Sequence, residues 1–472
     1  VSRRAHLHPC KSSILRQGLV MAPKLFAVPL LNQWLLYAPL HGVSALLNRS
    51  ALDHLISGDG DLSAELSGLR RELAEEVPIP QPKTGEIAPD FLGFITTRAC
   101  NIGCLYCDFG GPTAKRVEID PLIVVSAIDW MANQLVAAGR QLFKVHLFGG
   151  EPFQAPEMVD LIVHRTRLVC AKYHLTPWFE ASTNGVFNES RSRFVADYIN
   201  TVVLSFDGPR RFHDHNRPGF NGQPTFDVVY RTAKYLSRSS TELCLRCCIT
   251  QDSVHHMSEI TEWMIEEFNP SAITHEPLTE NELTRGAHLA PPDPYDFAIN
   301  WWRSHRIASQ HGIKLVYSAT ENDKPRLSSC PVGSDTVIVS PDGRVSACYL
   351  LPMDWQQHGM NMDMGWFHQN GNIQFDTESI HEIRNLIIDK PRCEKCLCQW
   401  DCAGGCHVSQ THRNCDTSYN AFCYQTRLVT SFLLTERLGF AELVEELLTN
   451  REALRRIAEY PWDGLELQGV VL

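Results

Sequence analysis

Three cysteines occupy one eight-residue loop, Cys100-Asn101-Ile102-Gly103-Cys104-Leu105-Tyr106-Cys107, with the spacing C-x3-C-x2-C. The run before it, residues 91–96, reads as a buried strand, which sets the thiols at a strand's C-terminal end. Thiolates are soft ligands, and a four-iron cluster takes one of them per iron, so three cysteines leave one iron open. An open coordination position is where a substrate or cosubstrate binds, as at a catalytic zinc. The competing reading of the loop is half a zinc site, although such sites usually repeat C-x2-C or pair with histidine.

From residue 90 onward the pattern alternates strand and helix. Strands are expected at 91–96, 143–148, 178–182, 202–206, 243–249 and 273–276, with another at 315–317. Asp120-Pro121 and Asp293-Pro294 are helix starts, and the first of these helices is expected to bury Leu122, Val125, Ile128, Ala132 and Leu135 before Gly139 ends it. Repeated strand-then-helix units imply a parallel sheet with right-handed crossovers. The polar phrases fall at the C-terminal ends of these strands, where barrel chemistry gathers. They are Gly149-Gly150-Glu151-Pro152, Thr183-Asn184-Gly185, Ser205-Phe206-Asp207-Gly208-Pro209 with Arg217 beyond it, Thr250, and Glu276-Pro277. Two adjacent glycines let a backbone approach a ligand closely. Glu276 and Asp207 stand at the right end of a barrel to act as a general base.

With Tyr106 just before its last cysteine, the loop resembles the signature of radical S-adenosylmethionine (SAM) enzymes. The resemblance implies that Cys100, Cys104 and Cys107 hold a 4Fe-4S cluster whose free iron chelates the amino and carboxylate groups of SAM. The reduced cluster would cleave SAM to a 5'-deoxyadenosyl radical. It also implies an α/β fold, a partial (β/α)6 TIM-like barrel. Gly149, Gly150, Glu151 and Pro152 would serve the SAM amino group, and Asn184, Ser205 and Arg217 its ribose and methionine carboxylate, with Tyr106 counted among the cofactor contacts. For Arg217 there is a physical reason, since a guanidinium grips a carboxylate through two bonds.

Beyond the barrel lie Cys330 and Cys348, then Cys393-x2-Cys396-x5-Cys402-x3-Cys406 and Cys423. Residues 337–345 read as a hairpin turning at Pro341-Asp342-Gly343. The cysteine order resembles the SPASM extension of radical SAM enzymes, which carries two auxiliary 4Fe-4S clusters. The family's ligation assigns Cys393, Cys396, Cys402 and Cys423 to one cluster and Cys330, Cys348 and Cys406 to the other. The second set is one ligand short; Cys398 or Cys415 completes it, or an iron stays open to substrate. The rival reading is a zinc ribbon. Cys10, Cys170, Cys244, Cys247 and Cys248 are expected to pack as small hydrophobes, and Trp400 and His407 as packing or outer-shell groups.

A formal net charge of −11 argues against a general nucleic-acid binder. Seventeen clustered cysteines in a chain of 472 residues point to metal or redox work in a reducing compartment, the cytoplasm, and no segment reads as a membrane span. The basic start at Arg3, Arg4, Lys11 and Arg16 only imitates a signal peptide, and the fold is expected to begin near Met21. Residues 25–37 read as two strands around a turn at Asn32-Gln33, followed by helices at 51–56 and 62–76. With the phrase Leu47-Asn48-x-x-Ala51, this region resembles the small winged-helix elements that capture leader peptides; a cap that only covers the barrel is the other reading. Pro78, Pro80 and Pro82 form a stiff linker. The tail at 426–458 reads as a covering helix pair.

The expected domains are therefore 1–82, a small N-terminal α+β domain; 88–318, the radical SAM barrel; 319–425, a cysteine-rich SPASM extension; and 426–472, a helical tail. The function implied by the resemblance is oxidative modification or crosslinking of a ribosomally made precursor peptide (RiPP maturation). An electron donor such as flavodoxin or ferredoxin is implied, with no nucleic-acid or membrane partner. The alternatives are a sulfatase-type protein maturase, a small-molecule radical SAM enzyme, and a zinc-stabilised binding module.

Overall fold

The computed structural model describes residues 25–58, 62–107, 109, 117–320, 324–369, 371–386, 390–410, 418–460, 465 and 467. The expected start near Met21, and Cys10 and Cys415, lie outside the described residues. The chain divides into two compact units, each described by itself: the described residues of 1–81, 319–329 and 388–472 form one, and those of 82–318 and 330–387 the other. These units cut across the expected segments. Residues 330–387 pack with the barrel, because their first strand adds directly to the barrel's sheet.

In the first unit, β1 (Phe26–Leu30), β2 (Gln33–Ala38) and β3 (Val43–Leu47) form an antiparallel sheet in that order. The first hairpin pairs Leu30 with Gln33, so its turn is Leu31-Asn32, one residue earlier than expected. Helices Arg49–Ser57 and Ala64–Leu73 follow. Asn48 caps the first, its side chain accepting from the Ala51 amide at 2.8 Å, and Gly58 ends it at φ 71°. Leu25, Leu36, Leu52, Leu55 and Leu73 form the core between sheet and helices. The C-terminal part has three helices, Ala421–Arg437, Ala441–Leu448 and Arg451–Glu459, where a pair was expected. Gly439 at φ 87° stops the first, and the Asn450 side chain caps the last by accepting from the Ala453 amide at 3.0 Å.

The second unit is built on one sheet. Its strands are β4 (Leu92–Ile95), β5 (Leu142–Phe148), β6 (Thr176–Thr183), β7 (Thr201–Ser205), β8 (Glu242–Ile249), β9 (Ala272–Pro277), β10 (Lys314–Val316), β11 (Val337–Val339), β12 (Arg344–Ser346), β13 (Asp363–Phe367) and β14 (Ile373–Phe375). The order is β10-β9-β8-β7-β6-β5-β4-β11-β12-β13-β14, parallel from β10 to β11 and antiparallel beyond. This is the partial barrel, and the 337–345 hairpin forms with Gly343 at φ 85°. Asp120 caps helix Pro121–Ala137 as expected, but the buried stripe is Ile123, Val124, Ala127, Ile128, Met131, Ala132 and Leu135. Leu122 is 57% exposed and Val125 half-buried, because in the first two turns Ile123 and Val124 take the inward positions, while Ile128, Ala132 and Leu135 are buried as expected.

The strands alternate. On β5 to β9 the residues facing the helices are buried, whereas His146, Phe148, Glu180, Ser182, Val203, Ser205, Cys248, Thr274 and Glu276 are half-buried on the other face. Val203 thus lies on the less covered face of an apolar run expected to be covered on both. Among the described residues no helix is long and apolar enough to cross a membrane.

Candidate active site

The cysteine loop follows β4 and is braced from beneath. Gly103 donates to the Pro218 carbonyl at 2.8 Å and Leu105 to the Asn216 carbonyl at 3.0 Å. Side chains reach the sulfurs: Asn184 Nδ2 lies 3.5 Å from Cys100 Sγ, and Arg217 Nη1 3.7 Å from Cys104 Sγ. Burial pushes the Cys100 thiol up to about 11 and the Cys104 thiol up to about 12, so both are protonated at neutral pH until a metal displaces the proton. Donors aimed at two of three clustered sulfurs suit a thiolate-ligated cluster with one open iron.

The Gly149-Gly150 turn is closest to its own chain. A Cβ on Gly150 would lie 2.3 Å from the Ala99 carbonyl oxygen and 2.4 Å from that of Arg98, and one on Gly149 2.4 Å from that of Thr97. Gly150 N and Glu151 N donate to the Thr97 and Ala99 carbonyls, each at 2.9 Å. The glycines therefore bring this turn against the base of the cysteine loop. Glu151 is buried and ties the turn to β6, accepting from Thr183 Oγ1 at 2.8 Å, the Asn184 amide at 2.7 Å and the Phe153 amide at 3.2 Å. Burial pushes its carboxyl up to about 7.

Asp207 is fully buried at the end of β7 and gathers four donors: Tyr106 Oη at 2.7 Å, Arg217 Nε at 3.0 Å, Asn216 Nδ2 at 3.1 Å and the Cys248 amide at 3.1 Å. Arg217 also lies over the Tyr106 ring, 5.3 Å from its centroid. The carboxylate that Arg217 holds is thus Asp207, through Nε, while Nη1 is directed at Cys104. Glu276 lies half-buried at the end of β9, accepts from the Ser318 amide at 3.1 Å, and has its carboxyl raised by burial. Ser205 is half-buried at the end of β7, beside Arg246 of β8.

Sequence reasoning missed Tyr349. Its hydroxyl lies 2.6 Å from His146 Nδ1, its ring packs on Phe148 at 4.4 Å, and its carbonyl accepts from Arg98 at 2.7 Å. A Cβ on Gly93 would stand 2.5 Å from the Tyr349 hydroxyl, so this strand glycine makes the slot for the phenol. A lone glycine inside a strand pattern was the available signal. His146 also reaches Ser182 Oγ at 3.1 Å, and burial lowers its imidazole to about 4.

In the first unit, Cys393, Cys396, Cys398, Cys402 and Cys423 line one cavity together with Arg392, Tyr419 and Arg427. Cys398 thus lines the same cavity as the four cysteines expected to hold the first auxiliary cluster. Cys330 and Cys348 belong to the second unit and Cys406 to the first. Hydrogen bonding from Cys398, with help from Arg427, pulls the Cys396 thiol down to about 6. Among the described residues no group of three His, Cys, Asp or Glu side chains is arranged around one metal-ion position. Cys170 and Cys247 are buried, and Cys244 and Cys248 are half-buried on β8. His407 Nε2 lies 3.1 Å from Ser328 Oγ, and Trp400 is buried.

The Radical SAM superfamily profile matches residues 94–264. The cysteine-type anaerobic sulfatase-maturating enzyme of Clostridium perfringens (strain 13 / Type A) is 25% identical over 340 residues, 69% of this chain and 90% of that protein. The mycofactocin maturase MftC of Mycobacterium tuberculosis (strain ATCC 25618 / H37Rv) is 23% identical over 340 residues, 70% of this chain and 82% of that protein. Among solved structures, native anSMEcpe with bound AdoMet and Cp18Cys peptide matches with a TM-score of 0.58 at 21% identity, covering 76% of this chain and 99% of that one. That last likeness is one of fold.

Proposed function

We propose that this chain, which belongs to the radical SAM superfamily, reductively cleaves SAM and uses the radical to oxidise or crosslink a ribosomally made peptide. The observation that carries the reading is the three-cysteine loop with Asn184 and Arg217 directed at two of its sulfurs. When bound there by Cys100, Cys104 and Cys107, a 4Fe-4S cluster supplies an open iron for SAM and the electron that breaks its sulfonium bond. The chain's own part is placement. Asp207 and Tyr106 hold the Arg217 guanidinium, and Glu151 locks the Gly149-Gly150 turn to β6 beneath the loop. SAM is assigned to Gly149, Gly150, Pro152, Asn184 and Ser205 around this frame.

Asp207 is already committed to four donors, so the proton acceptor for substrate is assigned to Glu276. Its raised carboxyl titrates nearer neutrality, as a general base should. Cys393, Cys396, Cys402 and Cys423 are assigned to an auxiliary 4Fe-4S cluster. A flavodoxin or ferredoxin in the cytoplasm delivers the electron.

A second reading, sulfatase-type maturation of a Cys or Ser side chain, is favoured by the sulfatase-maturating relatives. The two separate in an anaerobic reaction containing SAM, reductant and either a leader-bearing precursor peptide or a Cys-containing sulfatase segment, each deuterated at the reacting carbon. The first reading predicts deuterium in 5'-deoxyadenosine and loss of hydrogen from the precursor alone. Aldehyde formation on the sulfatase segment alone supports the second, and SAM cleavage with neither peptide altered contradicts both.

A further inference from the structure

Helix Ala421–Arg437 carries Cys423 and Arg427 four residues apart, on one face. Arg427 is 0% exposed. Its Nε donates to the Ile457 carbonyl at 3.0 Å and its Nη2 to the Tyr460 carbonyl, while the Tyr419 ring lies 4.3 Å from its Cζ. These anchors are all neutral. Nη1 is buried without a hydrogen-bond partner, and among the described residues no carboxylate lies within ion-pair distance of the guanidinium. The same guanidinium lines the cavity that Cys393, Cys396, Cys402 and Cys423 enclose.

A buried cation is strongly unfavourable unless an anion answers it, and neutral carbonyls, a ring or neutral thiols do not neutralise it. An anion inside the cavity does. A four-iron cluster bound by four thiolates carries net negative charge, and its sulfurs accept hydrogen bonds that raise its potential. Lys390, whose Nζ donates to the Ala403 carbonyl next to Cys402, adds positive charge.

We propose that Arg427 is the counter-charge of an anionic iron–sulfur cluster held by Cys393, Cys396, Cys402 and Cys423, with Nη1 donating to one of the cluster's sulfurs. Arg427 then acts as a positioning residue that favours the reduced, more negative cluster and sets its potential upward. One electron enters from an external reductant such as dithionite, and no bond is made or broken. The inference rests on the auxiliary-cluster assignment above.

The test uses the full reconstituted chain with Cys100, Cys104 and Cys107 replaced by Ala, so that the remaining spectroscopic signals are auxiliary; the relevant one disappears on Cys402→Ala. Arg427→Met should shift its reduction equilibrium toward the oxidised form at least tenfold, which is 59 mV for a one-electron couple. Arg427→Lys, which keeps the charge, should recover most of that shift. If Arg427→Met does not fold, Arg427→Gln, neutral but able to donate to the Ile457 carbonyl, should show the same fall. An intact cluster with unchanged potential in both neutral variants overturns the role of Arg427. Absence of any iron signal sensitive to Cys402→Ala overturns the cluster assignment itself.

Discussion

Arg217 and Asp207 form an ion pair inside the second unit, Nε to Oδ1 at 3.0 Å, with Asp207 fully buried and the other end of the guanidinium on Cys104 Sγ. One carboxylate thereby orients the cation that faces the cysteine loop. Removing one partner of a buried pair leaves an uncompensated charge, at a cost of about 3–5 kcal/mol. Asp207→Ala should lower the urea midpoint accordingly and lose iron from the cysteine loop. A loss below about 1 kcal/mol would place Asp207 among ordinary surface positions.

Gly150 has no room for a methyl group, since the atoms it would meet are backbone oxygens at 2.3 and 2.4 Å. Gly150→Ala should therefore displace the cysteine loop and abolish iron binding at Cys100, Cys104 and Cys107. Gly286→Ala, where nothing lies within 4 Å of the added carbon, is the control. It sits in helix Glu282–Gly286 and should gain up to about 1 kcal/mol. Iron content and unfolding midpoints measured together decide the matter.

Gly93→Ala should be destabilising because its new carbon meets the Tyr349 hydroxyl at 2.5 Å. Tyr349→Phe removes that oxygen, so the double variant should be more stable than Gly93→Ala alone. Failure of Phe to rescue would mean that the glycine serves something other than this slot. A double-mutant cycle on thermal unfolding measures the coupling.

His275 is fully buried on β9, and burial lowers its imidazole from 6.5 to about 3. The unfolded chain takes up this proton below pH 6.5 while the folded chain does not. Its contribution is therefore complete above pH 6.5 and falls as pH drops toward about 3, by about 1.4 kcal/mol per pH unit. Across that window His275→Gln should flatten the stability profile by one proton's worth. An unchanged slope would show that the imidazole is already charged or solvated in the fold.

The barrel was legible because its strands are apolar runs separated by capped helices, and Asp120 and Asp293 do cap their helices by accepting from the amides of Leu122, Tyr295 and Asp296. Cysteine spacing located the loop because the ligands are local in sequence. What escaped were groups whose meaning comes from distant chain. Tyr349 meets His146 across 203 positions, and nothing near residue 349 announces it. Asp207 reads from sequence as a candidate general base, yet it is held by four donors from residues 106, 216, 217 and 248. Arg427 stands between Thr426 and Leu428 in a helix that mixes polar and apolar residues, and no neighbour in sequence marks it as buried. The double glycine signals a close backbone approach, and its nearest neighbours are carbonyls of the cysteine loop, an approach that local sequence cannot assign to ligand or to chain.

The central assignment is radical chemistry from SAM at the Cys100–Cys107 loop, and product analysis tests it directly. Anaerobically reconstituted, dithionite-reduced protein should release 5'-deoxyadenosine from SAM, and Cys104→Ala should release none. No release from the parent, or equal release from both, would contradict it.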